Sequence, residues 1–350
     1  MMESGALSGL ASRELPPRVS ATVDWHASGK QHGFLSVPYS SNESAWGSVR
    51  VPVTVIVNGR GPTVLLTGGN HGDEYEGPIA LTKLARDLAP EEIEGRVIIL
   101  PALNPPALQS ATRRSPLDDM NMNRTFPGSR TGTVTEMICH FVTTHIVTQA
   151  DVVIDIHSGG KTLNFVPFAA MHYLQDPNQF ERTLETVKAF GAPISLMIEE
   201  LDTEGELDGV VESMGKVFIF TELGGGGSAT PETIGIADVG ARNVLRHFGI
   251  LPGPVQTRED RGLAPTRVMD TPDTASYVIA DETGLFEPLV HLGDSVAAEQ
   301  PVARIHSVEK TERAPAVYYA HRAGLFIGRH WPGLARPGDC LGVIAVDSDR

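Results

Sequence analysis

Three short apolar segments of this chain each run straight into a side chain able to hold a metal ion or a proton, with glycine close behind. The first is Thr63-Val64-Leu65-Leu66-Thr67-Gly68, which leads through Gly69-Asn70 into His71-Gly72-Asp73-Glu74. The second, Val152-Val153-Ile154-Asp155-Ile156, ends on His157-Ser158-Gly159-Gly160. The third, Val217-Phe218-Ile219-Phe220-Thr221, ends on Glu222 before Leu223 and the glycine run 224 to 227. Near-continuous apolar runs of this length suit strands covered on both faces. Open α/β sheets bind ligands in the crevice at the carboxyl ends of such strands, so residues far apart in sequence meet there.

The intervening segments support that fold. Helical periodicity is expected over 78–88, 133–149, 180–190 and 236–248, a strand over 97–100, and a strand with a hairpin signal over Val51–Val57 and Asn58-Gly59. The fold class expected is α/β: a mostly parallel mixed sheet with helices on both faces. Residues 1–20 are expected to be disordered or extended, and 21–252 to form the main domain with a β lead-in. Leu251-Pro252-Gly253-Pro254 stops the last helix, and 256–350 is expected to form a smaller all-β domain of short strands between glycines and prolines. That tail resembles a biotinyl or lipoyl carrier barrel without the lysine a carrier would modify. Lys310, its only lysine, sits in the polar turn Val308-Glu309-Lys310-Thr311 without flanking methionines. Its expected role is to cover the mouth of the site or to form an oligomer interface.

Two histidines and one glutamate, with a coordination position left for water, is the donor set of a hydrolytic zinc site. Taken singly, Glu74 is an ordinary solvated carboxylate and His157 a core histidine. Placed together at the ends of apolar strands, His71, Glu74 and His157 read as metal ligands. Glu222, alone on its strand end, reads as a general base. Asp155 lies two positions before His157, hence on the same face of one strand, where its carboxylate can accept the histidine's other ring N–H.

Between the first two segments lies a stretch rich in turn formers: Asn104-Pro105-Pro106-Ala107, then Arg113-Arg114-Ser115-Pro116, then Asp119-Met120-Asn121-Met122-Asn123-Arg124-Thr125-Phe126-Pro127-Gly128. It carries little strand or helix signal. Long irregular segments in compact domains are usually functional or disordered, and this one gathers guanidinium and amide groups suited to a carboxylate or a carbonyl.

Gly-Gly-Asn-His-Gly-Asp-Glu, Asn-Pro-x-Ala, Asn-Arg-x-Phe, Asp-x-His-Ser-Gly and Thr-Glu-Leu-Gly, in this order, resemble the succinylglutamate desuccinylase/aspartoacylase family over roughly residues 50 to 345. The resemblance implies a zinc carboxypeptidase-like fold and an amidohydrolase that removes an acyl group from the nitrogen of an amino acid. It implies one Zn2+ on His71, Glu74 and His157, a base at Glu222, and Arg113, Asn123 and Arg124 as groups holding the substrate. The stretch between Asn-Pro and Asn-Arg is longer here than in aspartoacylases, so the arginine that polarises the carbonyl is Arg113 or its neighbour Arg114; motif order favours Arg113. Within the family, Val23-Asp24-Trp25, Gly29-Lys30-Gln31-His32-Gly33-Phe34-Leu35 and Ser44-Ala45-Trp46-Gly47 look like the bacterial deacetylases that act on Nα-acetyl-2,4-diaminobutyrate in ectoine breakdown. Rival readings are a deacylase of another N-acyl amino acid, a metallocarboxypeptidase, and a non-catalytic zinc- or sugar-binding module.

A formal charge of −15 and a pI near 5.2 argue against nucleic acid as a partner. The expected partner is a small N-acyl amino acid, with a homo-oligomer open. Only Cys139 and Cys340 occur, which points to no disulfide framework and to a cytoplasmic setting. Residues 1–20 lack the apolar core of a signal peptide, and no run approaches the ~20 apolar residues of a membrane span.

Overall fold

A mixed sheet carries the three strand ends. The computed structural model describes residues 17 to 199 and 204 to 350. At the centre of the sheet, Gly95–Leu100, Thr63–Gly68, Val152–His157 and Val217–Glu222 lie side by side, all parallel. Phe168–His172 then pairs antiparallel with Val217–Glu222, and Ile194–Ile198 follows parallel to Phe168–His172. On the other flank, Ser48–Asn58 pairs antiparallel with both Gly95–Leu100 and the long strand Gly29–Pro38.

Burial follows the alternation of each strand. Leu65, Val153, Phe218 and Phe220 join a core on one side, and Leu66, Ile154, Ile156 and Ile219 a core on the other. The second face is covered by the helices Glu76–Asp87, Pro177–Phe190 and Pro231–His247. The first is covered by Val134–Phe141 and Leu207–Ser213. Fully buried Val and Ile side chains each add about 1.5–3 kcal/mol, so the strands that present the site are among the best anchored parts of the chain.

Thr133 opens the Val134–Phe141 helix with a capping box. Its hydroxyl accepts from the Glu136 N–H at 3.3 Å, and the Glu136 carboxylate accepts from the Thr133 N–H at 2.7 Å. The regular helix stops earlier than periodicity suggests, because Val142–Ile146 winds as a π turn and Val147–Gln149 as a 3-10 turn. A second departure concerns the segment expected to be irregular. Pro105–Ser110 is a short helix, with Pro at its start and the Asn104 side chain accepting from the Ala107 N–H. Gly72 faces that helix so closely that a Cβ there would lie 1.9 Å from the Ala107 carbonyl carbon, so only glycine lets the His71 loop reach its place.

Val19 is buried and Ser20–Ala21 pairs with Gly29–Pro38, so the last residues of the segment expected to be disordered or extended join the fold. Residues 1–16 of that segment lie outside the described residues. Beyond residue 256, Arg267–Thr271 extends the main sheet parallel to Ile194–Ile198, and Cys340–Asp347 and Gly324–His330 continue it. Gly284–Pro288, Pro301–His306, Ala316–Tyr319 and Leu334–Ala335 form a separate antiparallel sheet, and a small core of its own includes Val302, Ile305 and Leu341. Lys310 sits in the turn after Pro301–His306, where its N–H donates to the Ser307 hydroxyl. No described helix is long and apolar enough to cross a membrane.

Candidate metal centre and its cavity

His71, Glu74 and His157 converge, each buried, with one ligand atom from each lying within 4.8 Å of the others. Glu74 sits between the histidines: its Oε1 is 2.7 Å from His71 Nδ1 and its Oε2 is 2.8 Å from His157 Nδ1. The Ser158 N–H also donates to Oε2, at 3.1 Å. Both imidazoles therefore turn the same nitrogen, Nδ1, toward the shared point.

Their far nitrogens are tied back. His157 Nε2 lies 2.8 Å from Asp155 Oδ2, and His71 Nε2 lies 3.1 Å from the Asn121 side-chain oxygen. An acceptor at Nε2 places the ring proton there and frees the Nδ1 lone pair for a cation. Asp155 is itself held by the Thr67 hydroxyl at 2.8 Å and the Asn70 amide at 3.0 Å. The donor set, two imidazole nitrogens and one carboxylate aimed at one point with their outer atoms restrained, fits zinc.

Charges inside this cluster are tightly linked. Burial opposes a charge on Glu74, but the facing His71 and His157 outweigh it and hold the carboxyl below the usual range. Burial likewise opposes ionisation of Asp155, and His157, Asn70 and Thr67 reverse it. For His157, burial favours the neutral ring, yet Asp155 and Glu74 together raise it well above an ordinary imidazole. His71 goes the other way, because burial dominates and Glu74 offsets it only in part.

Glu222 lies beside His157 in the register of their parallel strands. It lines one cavity with His71, His157, Arg113, Asn123, Arg124 and Asp155. The glycines after it are needed by geometry: Gly225 adopts φ +145°, and a Cβ there would lie 2.1 Å from the Leu163 carbonyl oxygen. Arg113 reaches in, its Nη1 3.5 Å from Glu74 Oε1. Arg114 instead pairs with the Asp119 carboxylate and donates to the Asp119 carbonyl, away from the centre. The Asn123 side-chain oxygen accepts from Asn70 at 3.1 Å and from the Leu207 N–H at 3.3 Å. Arg124 donates to the Asn123 carbonyl at 2.7 Å and forms an ion pair with buried Glu206.

Of the residues the sequence marked, His71, His157, Arg113, Asn123, Arg124, Asp155 and Glu222 line this cavity, Glu74 lies behind it between the two histidines, and Arg114 stays outside. Asn121, Asn70, Thr67, Glu206, Asp208, Phe218 and Phe220 were not marked. Phe218, Phe220 and Glu222 alternate on one strand, a signal available in the sequence once Glu222 is placed. Asn121, Glu206 and Asp208 stand in turns or at a helix start, where no periodicity singles them out.

A profile of the Succinylglutamate desuccinylase/Aspartoacylase catalytic domain matches residues 60–248. The N-alpha-acetyl-L-2,4-diaminobutyric acid deacetylase of Halomonas elongata is 48% identical over 339 residues, covering 97% of this chain and 98% of that protein. Among solved structures, the product-bound ectoine utilization protein EutE (DoeB) of Ruegeria pomeroyi is 47% identical with a TM-score of 0.90, covering 95% of this chain and 100% of that one. A succinylglutamate desuccinylase/aspartoacylase from Rhodobacter sphaeroides is 42% identical with a TM-score of 0.91 over the same shares.

Proposed function

Since the chain belongs to the succinylglutamate desuccinylase/aspartoacylase family, we propose that it hydrolyses the amide of an Nα-acyl amino acid, with Nα-acetyl-L-2,4-diaminobutyrate as its substrate and diaminobutyrate and acetate as products. That reaction belongs to ectoine catabolism. The observation that carries the reading is the convergence of His71, Glu74 and His157, with both histidines lining one cavity together with Glu222 and Arg113. The substrate follows from the 48% identity to the Halomonas elongata deacetylase across nearly the whole of both chains.

His71, Glu74 and His157 would hold the zinc. In a three-ligand site of this kind zinc supplies Lewis acidity and brings the pKa of water down to about 7. Glu222 accepts the proton of the attacking water, and the same carboxylic acid then delivers it to the departing amine nitrogen. Arg113 faces the carbonyl oxygen. A fixed positive charge gains little on a neutral amide but stabilises the oxyanion that develops, an effect worth about 3–4 kcal/mol for comparable donors. Arg124 and the donor end of the Asn123 amide take the substrate α-carboxylate, and Glu206 keeps the Arg124 guanidinium in place for it. Asp155 and Asn121 hold the two imidazoles in the tautomer the metal requires.

The test is a panel of N-acyl amino acids offered to the zinc-loaded and the chelated protein, with released amine measured. Fastest release from Nα-acetyl-diaminobutyrate, abolished by chelation and restored by zinc, is expected. Equal rates with and without metal, or no release from any N-acyl amino acid, would overturn the reading.

A further inference from the structure

Arg113 has a weak hold of its own. Its partly exposed guanidinium meets Glu74 at 3.5 Å, the outer limit of a hydrogen bond, so its aim depends on the turn that carries it. That turn, residues 111 to 114, follows the short helix Pro105–Ser110. Ala111 is left-handed there, with φ +52°, a conformation that a residue with a Cβ keeps only where its surroundings impose it. The carbonyls around Arg113 are each taken up. The Thr112 carbonyl accepts from the Gly72 N–H at 3.0 Å, and the Arg114 carbonyl from the Thr112 hydroxyl at 2.8 Å. The Ala111 carbonyl accepts from the Lys161 ammonium at 2.5 Å.

Lys161 is itself anchored along its length. It stands four residues after His157, and its N–H donates to the carboxylate of buried Asp73 at 2.8 Å. Its stem lies along the glycine run behind Glu222, where a Cβ at Gly227 would sit 2.8 Å from Lys161 Cγ. The Gly227 N–H donates to the Gly160 carbonyl at 2.6 Å. One lysine thus touches the loop of His71 and Glu74, the run after Glu222 and the turn that bears Arg113. A long side chain held at its backbone, stem and tip has surrendered most of its rotamer freedom, so its ammonium stays at the Ala111 carbonyl. Lys161 does not line the cavity, and any effect on the reaction passes through another residue.

We propose that Lys161 is a positioning residue for Arg113: by holding the Ala111 carbonyl it fixes the turn that aims the guanidinium, in register with the loops of His157 and Glu222. It has this role only if Arg113 meets the oxyanion in the deacylation proposed above. Fixed positive charge acts at the place where the oxyanion develops, so a small displacement of the guanidinium costs rate. The cost falls on kcat. Capture of the α-carboxylate lies with Arg124, and KM is left alone.

The experiment measures kcat, KM and zinc content with Nα-acetyl-diaminobutyrate for wild type, Lys161→Met, Lys161→Arg, Arg113→Ala and the double variant Lys161→Met/Arg113→Ala. Methionine keeps an unbranched stem and the backbone hydrogen bond to Asp73 but removes the ammonium. Lys161→Met is expected to lower kcat by about tenfold to a hundredfold, with KM within about twofold and zinc at the wild-type level. Arginine can also donate to the carbonyl, so Lys161→Arg should recover most of that loss. In the Arg113→Ala background, Lys161→Met should cost less than about twofold, because the group it positions is gone. An equal kcat loss in both backgrounds would make Lys161 a structural strut and overturns the proposal. Wild-type kcat in Lys161→Met, or zinc lost from it, overturns the proposal as well; the deacylase assignment survives all three results. If Arg113→Ala keeps wild-type kcat, the oxyanion role of Arg113 fails and that of Lys161 with it.

Discussion

Asp155 and His157 stand two residues apart on one strand with Oδ2 and Nε2 2.8 Å apart, which leaves His157 Nδ1 facing Glu74. The carboxylate thereby sets which nitrogen is free to bind metal. Outer partners of this kind are worth about tenfold to a hundredfold in metal affinity. Asp155→Asn should weaken zinc by that factor in a chelator competition assay. Asn121→Ala, which removes a neutral acceptor from His71, should weaken it less. Wild-type affinity in Asp155→Asn would show that the tautomer is set elsewhere.

Removal of a ligand is more severe. His71→Ala and His157→Ala should each lose stoichiometric zinc together with turnover, because the proposed site divides the binding among three protein ligands. Metal content by atomic emission decides the matter, and full zinc in either variant would exclude that histidine from the centre.

The arginines separate by role. Arg113→Ala should mainly lower kcat, since its contact strengthens as the oxyanion forms, and Arg124→Ala should mainly raise KM. Arg114→Ala should change neither by more than about fivefold, as an exposed pair of this type contributes at most about 1 kcal/mol. A kcat loss larger in Arg114→Ala than in Arg113→Ala would reverse the assignment.

Cysteine chemistry reports on packing away from the site. Burial pushes the Cys340 thiol up to about 11, and burial, then Asp118, raise Cys139 well above its ordinary value. The thiolate is the reactive form, so at pH 8 Cys340 should label about a hundredfold more slowly in the native protein than in the unfolded one, and Cys139 should also be slowed. Because the folded state holds these protons more tightly, the two thiols withdraw stability as pH rises past the unfolded thiol value. Native labelling at the unfolded rate would contradict the packing around Cys139 and the strand Cys340–Asp347.

The parts of the site that lie at strand ends were legible in the sequence. Apolar runs into His71, His157 and Glu222 announce both the strand and the place where ligands gather, and the spacing of two places Asp155 beside His157. Helices over 78–88, 180–190 and 236–248 were readable for the same reason, since their periodicity comes from one face meeting the sheet. Strand order was not. Phe168–His172 inserts antiparallel between Val217–Glu222 and Ile194–Ile198, and nothing in a five-residue apolar run names its neighbour. The short helix Pro105–Ser110 holds too few turns to show a period. Asn121, Glu206 and Asp208 are single polar residues whose meaning comes from what folding places opposite them.

The central claim is that Glu222 moves the proton and does not hold the metal. Acetate release from Nα-acetyl-diaminobutyrate by zinc-loaded Glu222→Gln tests it directly, because glutamine keeps the shape and most of the hydrogen bonding but cannot take a proton from water. Turnover is expected to fall by at least about a hundredfold at full zinc occupancy. Near-native release would assign the base to another group, and a variant that cannot be loaded with zinc would make Glu222 a ligand.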